Sequence, residues 1–256
     1  MIALTAAEIA AITGGTIDAV DAEARVEGPA VIDSRDVVPG ALFVALPGER
    51  SDGHDFAASA VEAGAALVLA SRRTGAPSVV VPDVELALGA LAREHLARLR
   101  PGGVRVVGVT GSVGKTTTKD VLLQVLGASG PTVAPVASFN NEIGLPLTIL
   151  RADPQTRFLV LEMGAAALGE IDYLTGIAAP DVAVVLRVAH AHVGGFGGIE
   201  AVARAKSEIV RGLATGGVAV LNADDDRVAA MAPLAERSVL FGESALATVR
   251  ARDLWV

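Results

Sequence analysis

In Val104-Arg105-Val106-Val107-Gly108-Val109-Thr110-Gly111-Ser112-Val113-Gly114-Lys115-Thr116-Thr117-Thr118-Lys119, an apolar run meets a glycine-bearing turn, and Asp120-Val121-Leu122-Leu123-Gln124-Val125-Leu126 continues with helical spacing. Buried strand, tight turn and amphipathic helix in that order predict a phosphate-binding loop. Gly111 and Gly114 let backbone N–H groups turn toward an anion, and the helix N-terminus adds its dipole. Lys115 can reach the outer phosphates, while the Thr116 hydroxyl holds Mg²⁺. A nucleoside triphosphate is the ligand this predicts. The spacing is the tight form T-G-S-x-G-K-T, because the general pattern places glycine where Val109 stands and Gly108 comes one position early. A glycine-rich turn that merely precedes a helix is the alternative; it leaves the ordered lysine and hydroxyl unexplained.

Downstream, apolar runs recur at Phe158-Leu159-Val160-Leu161-Glu162, Val182-Ala183-Val184-Val185-Leu186, Val218-Ala219-Val220-Leu221 and Ser238-Val239-Leu240-Phe241. Helical stretches between them predict a mostly parallel sheet covered on both faces, with ligands at the carboxyl ends of its strands. Upstream, Val31-Ile32-Asp33, Leu42-Phe43-Val44-Ala45-Leu46, Ala66-Leu67-Val68-Leu69-Ala70 and Val79-Val80-Val81 read as short strands around a helix over residues 56–63. A helix carrying Leu86, Leu88, Leu91, Leu96 and Leu99 follows, and Arg100-Pro101-Gly102-Gly103 breaks it. The fold class is therefore α/β: a small N-terminal α/β domain over residues 1–84, then a mostly parallel-sheet phosphate-loop domain over residues 85–256. A chain of 256 residues is long enough for both.

The net charge of −8, the 3% aromatic content and the lack of a Lys/Arg-rich block argue against a nucleic-acid surface. Cysteine is absent, which removes disulfides, thiolate metal sites and a cysteine nucleophile. Met1-Ile2-Ala3-Leu4-Thr5-Ala6-Ala7-Glu8 lacks the pattern of a cleavable leader, and no apolar run has membrane-spanning length. The expectation is a cytoplasmic protein without membrane insertion, acting as a monomer. Arginine outnumbers lysine 18 to 3, so Lys115, Lys119 and Lys206 become suspects for chemistry a guanidinium cannot do.

Glu162 ends a buried strand, where it either meets solvent or faces the phosphate loop and takes Mg²⁺. His190 and His192 follow the Val182 strand and point to opposite sides, so at most one faces the nucleotide; either is also readable as a structural or surface histidine. Lys206, in Ala205-Lys206-Ser207-Glu208 on a helix over residues 199–213, reads as a solvated lysine, a base, or an amine that takes up CO₂ as a carbamate. Asn140-Asn141-Glu142-Ile143-Gly144-Leu145-Pro146 enters a helix and serves as a cap or an anion site. Asp33-Ser34-Arg35 and Ser51-Asp52-Gly53-His54-Asp55-Phe56 fit ordinary turns when taken singly.

Together with Pro39-Gly40-Ala41-Leu42-Phe43-Val44, Glu162-Met163-Gly164-Ala165, Ala191-His192, Phe196-Gly197 and Leu221-Asn222-Ala223-Asp224-Asp225, these segments resemble the bacterial Mur ligases over nearly the whole chain. D-S-R, D-G-H-D-F and N-N-E-I-G-L-P bring the chain nearest to the members that add D-Ala-D-Ala to UDP-MurNAc-tripeptide. The resemblance implies an N-terminal domain that holds the UDP-sugar, with Ser34, Arg35, Gly53 and His54 near it and Asn140 and Asn141 at the sugar-peptide end. It implies that Thr110, Gly111, Ser112, Val113, Gly114, Lys115, Thr116 and Thr117 bind ATP. Thr116, Glu162 and His192 would serve Mg²⁺, with Lys115, Lys206 and His192 catalytic and Lys206 carrying a carbamate. Two departures stand out: Arg187, where the family often has an uncharged residue or lysine, and the end at Val256, beyond which family members continue with the rest of the ATPase domain and a C-terminal domain. Alternatives are another ligase of the superfamily, such as a folylpolyglutamate synthase, and a UDP-sugar or nucleotide binding module without turnover.

Overall fold

The computed structural model describes residues 1–48, 51–136, 138–189 and 197–252. Two compact units are present, one of Met1–Gly102 with Ile149–Gln155, the other of Gly103–Thr148 with Thr156–Val256.

The first unit contains β1 (Leu4–Thr5), α1 (Ala6–Thr13), β2 (Thr16–Asp18), β3 (Arg25–Val26), β4 (Ala30–Val31), β5 (Leu42–Val44), α2 (Ala57–Glu62), β6 (Leu67–Ala70), β7 (Ser78–Val80) and α3 (Val84–Leu99). Its sheet runs β2-β7-β6-β5-β4, parallel except for β2 on the edge, while β1 and β3 pair separately. Helix α1 starts in a reciprocal cap: Thr5 N donates to Glu8 Oε2 at 2.9 Å and Glu8 N to Thr5 Oγ1 at 3.1 Å. Gly14, at φ 67°, ends it. Phe43 and Val68 lead a core otherwise made of Ala45, Ala57, Ala60, Ala65, Ala70 and Ala76, small side chains that let α2 lie close on the sheet.

Helix α3 begins on Asp83, whose carboxylate accepts from Leu86 N at 3.0 Å. It buries Leu88, Leu91, Ala92, His95, Leu96 and Leu99, whereas Leu86 is 59% exposed, off the stripe that the leucine spacing suggested. Because α3 packs on α1, residues 85–99 fall in the first unit, and the compact units divide after Gly102, not at the expected 84/85.

His95 ties α3 to the returning segment: its Nε2 pairs with the Ala152 carbonyl at 2.8 Å, and its Nδ1 is buried without a partner. Burial holds its pKa below 6.5, helped by the chain's amino terminus and Arg98 against the bond to Ala152. Below 6.5 the unfolded chain takes up a proton that the folded chain resists, so stability drops as pH falls through that value and is fully present above it. Denaturant midpoints measured between pH 7.5 and 5 should fall more in the parent than in His95→Gln; equal slopes would remove this role.

The second unit contains β8 (Arg105–Thr110), α4 (Lys115–Gly127), β9 (Thr132–Val133), α5 (Gly144–Leu150), whose end enters the first unit, β10 (Phe158–Glu162), α6 (Glu170–Ile177), β11 (Val182–Val185), α7 (Ile199–Arg211), β12 (Val218–Asn222), α8 (Asp226–Ala229), β13 (Ser238–Gly242) and β14 (Val249–Arg250). Among the described residues its sheet has the order β14-β13-β12-β11-β8-β10-β9, with every pair parallel. Val107, Val109, Ala134, Val160 and Val184 form the core under Leu122, Leu123 and Leu126 of α4. β8 lies between β10 and β11, so its carboxyl end meets theirs: Glu162 registers with Val109 and Val185 with Thr110.

Candidate active site

Thr110 closes β8 fully buried, its hydroxyl donating to the Met163 carbonyl at 2.7 Å and tying the β8 end to the residue after β10. The chain then turns through Gly111 (φ 158°) and Gly114 (φ 84°). A Cβ on Gly111 would lie 3.0 Å from Leu186 Cβ and 3.1 Å from the Val113 carbonyl, so the turn needs glycine there for space as well as backbone angle. Gly114 caps α4 without a side chain, leaving the first-turn N–H groups of that helix with no side-chain cap. This is the local condition for an anion to supply the cap.

The Ser112 side chain turns away from that position. Its hydroxyl accepts from Ala189 N at 2.9 Å and donates to the Ala189 carbonyl at 3.1 Å. Its backbone N donates to the Arg187 carbonyl at 2.8 Å. Arg187 therefore acts through its main chain, and its side chain, exposed to solvent, lines a cleft of about 480 Å³ with Asn222, Asp224, Asp225 and Arg227. Val113 and Thr117 are exposed.

Half-buried Lys115 donates from Nζ to the Gly111 carbonyl at 2.8 Å, folded over its own loop. Burial lowers its pKa, and the Glu162 charge works the other way. The Thr116 hydroxyl is 3.4 Å from Glu162 Oε2 and 3.4 Å from Ser138 Oγ. Glu162 itself is fully buried, and its Oε1 has no hydrogen-bond partner. A buried carboxylate oxygen without a donor is costly, and hard divalent cations prefer this kind of ligand. The two oxygens therefore fit Mg²⁺.

Lys206 is 4% exposed on the inner face of α7. Burial, and then the charge of Lys115, lower its pKa to about 8. No hydrogen bond or ion pair reaches its Nζ among the described residues. Glu208 fixes the helix that carries it, accepting from Gly169 N at 2.8 Å and from Asp172 N at 3.0 Å. It thereby caps α6, whose own cap residue Gly169 has no side chain to offer. Lys119, the third lysine, is committed to the fold: it is buried, with Nζ 3.2 Å from the Pro135 carbonyl and 2.6 Å from Asp120 Oδ1.

Asn141 caps α5, its Oδ1 accepting from Gly144 N at 2.9 Å. The Asn140 carbonyl accepts from Gly164 N at 2.8 Å, and its amide stands 3.0 Å from where a Cβ on Gly164 would be. The polar loop is thus docked two residues beyond Glu162. His190 and His192 lie outside the described residues. Among the described residues no three His, Asp or Glu side chains come together as a metal site.

In the first unit, Ser34, Arg35, Gly53 and His54 follow the carboxyl ends of β4 and β5. Asp33 accepts from Arg35 N and Nε, both at 2.9 Å, which leaves Arg35 87% exposed and holds Asp33 down to about 2. Gly53 lies so close to Leu46 that a Cβ would come within 2.7 Å of its carbonyl oxygen. His54 is buried, its Nδ1 2.6 Å from Asp52 Oδ1 and its Nε2 accepting from Ser71 N at 2.9 Å. Both ring nitrogens are occupied within the protein, so His54 braces the turn that presents its neighbours. Asp52 is held far below the usual carboxylate range by the His54 N–H, Arg72 and the His54 ring.

Sequence reasoning attaches no role to Ser138, Glu208, Asn222 or Asp225. Only the last two carried a signal, an Asn at a strand end followed by an Asp before a helix.

The description "Mur ligase middle domain" matches residues 109–255, and "Mur ligase family, catalytic domain" matches residues 30–96. The UDP-N-acetylmuramoyl-tripeptide–D-alanyl-D-alanine ligase of Mycobacterium tuberculosis is 46% identical over 265 residues, covering 94% of this chain and 52% of the relative. Its Escherichia coli counterpart is 39% identical, covering 88% and 49%. Among solved structures, MurF from Acinetobacter baumannii superposes with a TM-score of 0.86 at 35% identity, over 94% of this chain and 54% of that one. MurF ligase from Thermotoga maritima in complex with ADP gives 0.78 at 37% identity, over 86% and 51%. The chain thus spans about half the length of the curated relatives it matches. No described helix is long and apolar enough to cross a membrane. With a parallel sheet whose phosphate loop opens beside a buried, half-satisfied glutamate, and with a match over residues 109–255, the chain belongs to the Mur ligase family.

Proposed function

We propose that this chain supplies the UDP-sugar and ATP-binding parts of the cytoplasmic ligase that joins D-Ala-D-Ala to UDP-MurNAc-tripeptide. The observation that carries the reading is the convergence of Lys115, Thr116, Glu162 and Lys206 on the carboxyl edge around β8, with one Glu162 oxygen unpartnered. Thr110 through Thr117 would cradle ATP with backbone N–H groups. Thr116 and Glu162 would hold Mg²⁺, joined by His192 as the family resemblance implies, and the ion would neutralise charge on the phosphates. Lys115 would follow the transferring phosphoryl group, which passes to the terminal carboxylate of the tripeptide; the D-Ala-D-Ala amine then displaces phosphate from the acyl phosphate to form the amide. Positioning and electrostatics do most of such catalysis. Lys206 as a carbamate would exchange its repulsion of Lys115 for attraction. Ser34, Arg35 and the turn at Gly53 and His54 would receive the UDP-sugar, and Asn140 and Asn141 its peptide end.

The N-terminal part of this reading is tested by titrating UDP-MurNAc-tripeptide into the chain in a calorimeter. Saturable heat is expected, weakened in Arg35→Ala, which leaves the buried bracing of His54 intact. No heat and no thermal shift at millimolar ligand would sink the assignment.

A further inference from the structure

Residues 186–189, just after β11, form a strap gripped from both sides. On one side is the phosphate loop: Leu186 N donates to the Thr110 carbonyl at 3.0 Å, the Arg187 carbonyl accepts from Ser112 N at 2.8 Å, and Ala189 exchanges two bonds with the Ser112 hydroxyl at 2.9 and 3.1 Å. On the other side is the corner at the carboxyl end of β12. There Asn222 Nδ2 donates to the Leu186 carbonyl at 2.8 Å, and Asp225 Oδ2 accepts from Val188 N at 2.8 Å. All these bonds end on strap backbone, so strap side chains do not decide them.

We infer that Asn222 and Asp225 are positioning residues for the phosphate loop: by gripping the strap they hold Ser112, and with it the turn from Gly111 to Gly114, in its anion-accepting shape. The inference rests on the nucleotide reading above. A loop whose N–H groups are already aimed loses less freedom on binding than one that must be ordered by the ligand. Neither residue has to touch the nucleotide for this to operate.

Asp225 divides its two oxygens between two tasks, which makes the idea separable from simple stability. Oδ1 caps α8, accepting from Arg227 N at 3.0 Å and Val228 N at 3.3 Å, while Oδ2 holds the strap. Asparagine at 225 keeps an oxygen for the cap and turns an NH₂ toward the Val188 N–H, donor against donor. Aspartate at 222 retains the oxygen that accepts from Asp224 N at 2.9 Å and sets a carboxylate oxygen against the Leu186 carbonyl. Asp224 supplies the control: it lines the same cleft, but its carboxylate grips Glu243 N at 2.8 Å and Ser244 N at 2.7 Å, at the end of β13, and makes no hydrogen bond to the strap among the described residues.

The experiment is calorimetric titration of Mg·ADP into the 256-residue chain and its variants, with melting of the ligand-free proteins recorded beside it. Asp225→Asn and Asn222→Asp should each weaken binding about tenfold, the effect of losing one hydrogen bond and leaving its partner unmet. Asp224→Asn should melt earlier yet bind within about twofold of the parent. If both strap variants bind like the parent, or if Asp224→Asn weakens binding as much as they do, the positioning role is overturned. A parent chain that takes up no Mg·ADP would instead overturn the nucleotide reading, and this inference with it.

Discussion

Arginine in place of Lys206, in a chain extended to the full length of the curated relatives, should abolish ligase activity although the charge is kept. An ordinary lysine near 10.5 is neutral in roughly 0.3% of molecules at pH 8, whereas Lys206, lowered to about 8 by burial and by Lys115, is half neutral there. Only the neutral amine takes up CO₂. The carbamate that results would turn the Lys115 repulsion into attraction and offer oxygens that Mg²⁺ prefers to an amine. Lys206→Ala should be partly rescued by acetate, and ¹³C-bicarbonate should give a carbamate resonance in the parent that is missing from Lys206→Arg. Full activity in Lys206→Arg, or no resonance in the parent, would return Lys206 to an ordinary buried cation. The stability sign can be checked as well. Below about pH 8 the lysine is charged in both states and the folded chain bears the whole burial penalty; the penalty is relieved as pH rises from about 8 toward 10.5. Lys206→Met should therefore raise the melting temperature at pH 7 without bicarbonate while removing activity.

Lys115→Ala should lower the rate of the same full-length enzyme by roughly 10²–10³, on the order of 3–4 kcal/mol, by analogy with loss of one oxyanion donor. Its ammonium rests on the Gly111 carbonyl, so the substitution also removes a strut of the loop. Comparing kcat with KM separates the two effects. A fall mainly in kcat marks loss of transition-state charge stabilisation, whereas a rise mainly in KM marks loss of binding. A variant within threefold of the parent in both would show that Lys115 takes no part in phosphoryl transfer.

The second unit was the more legible half because its signals are local. Long apolar runs, the glycines at 111 and 114 and a single lysine-bearing turn specify β8, α4 and the strands around them. The first unit was read less completely: α1 escaped although its Thr5–Glu8 cap and Gly14 stop are written in the sequence, since its apolar face is mostly alanine and isoleucine with weak contrast. Leu86 misled for the opposite reason, a leucine on the solvent side of α3. At the site, Glu162 was readable as a strand-end acid, but its orphan oxygen was not, because satisfaction of a buried group depends on neighbours far away in the chain. The same holds for His54: D-G-H-D-F announces a turn, and only the fold brings Ser71 to its second nitrogen. Ser112 and Asp225 are 113 positions apart and meet through a strap that belongs to neither, a relation invisible to any local pattern.

The loan of residues 149–155 to the first unit has a consequence for synthesis. Ile149, Leu150 and Ala152 are buried, and Ala152 supplies the acceptor for His95, so the first unit is not complete when Gly102 has been made. It must wait for Gln155, by which time β8, the phosphate loop, α4 and α5 already exist. At bacterial translation speeds that interval lasts about 3 to 10 s, far longer than helix or hairpin formation. For those seconds the His95 imidazole lacks its acceptor, and the first unit gains its last buried residues only when the middle of the chain arrives.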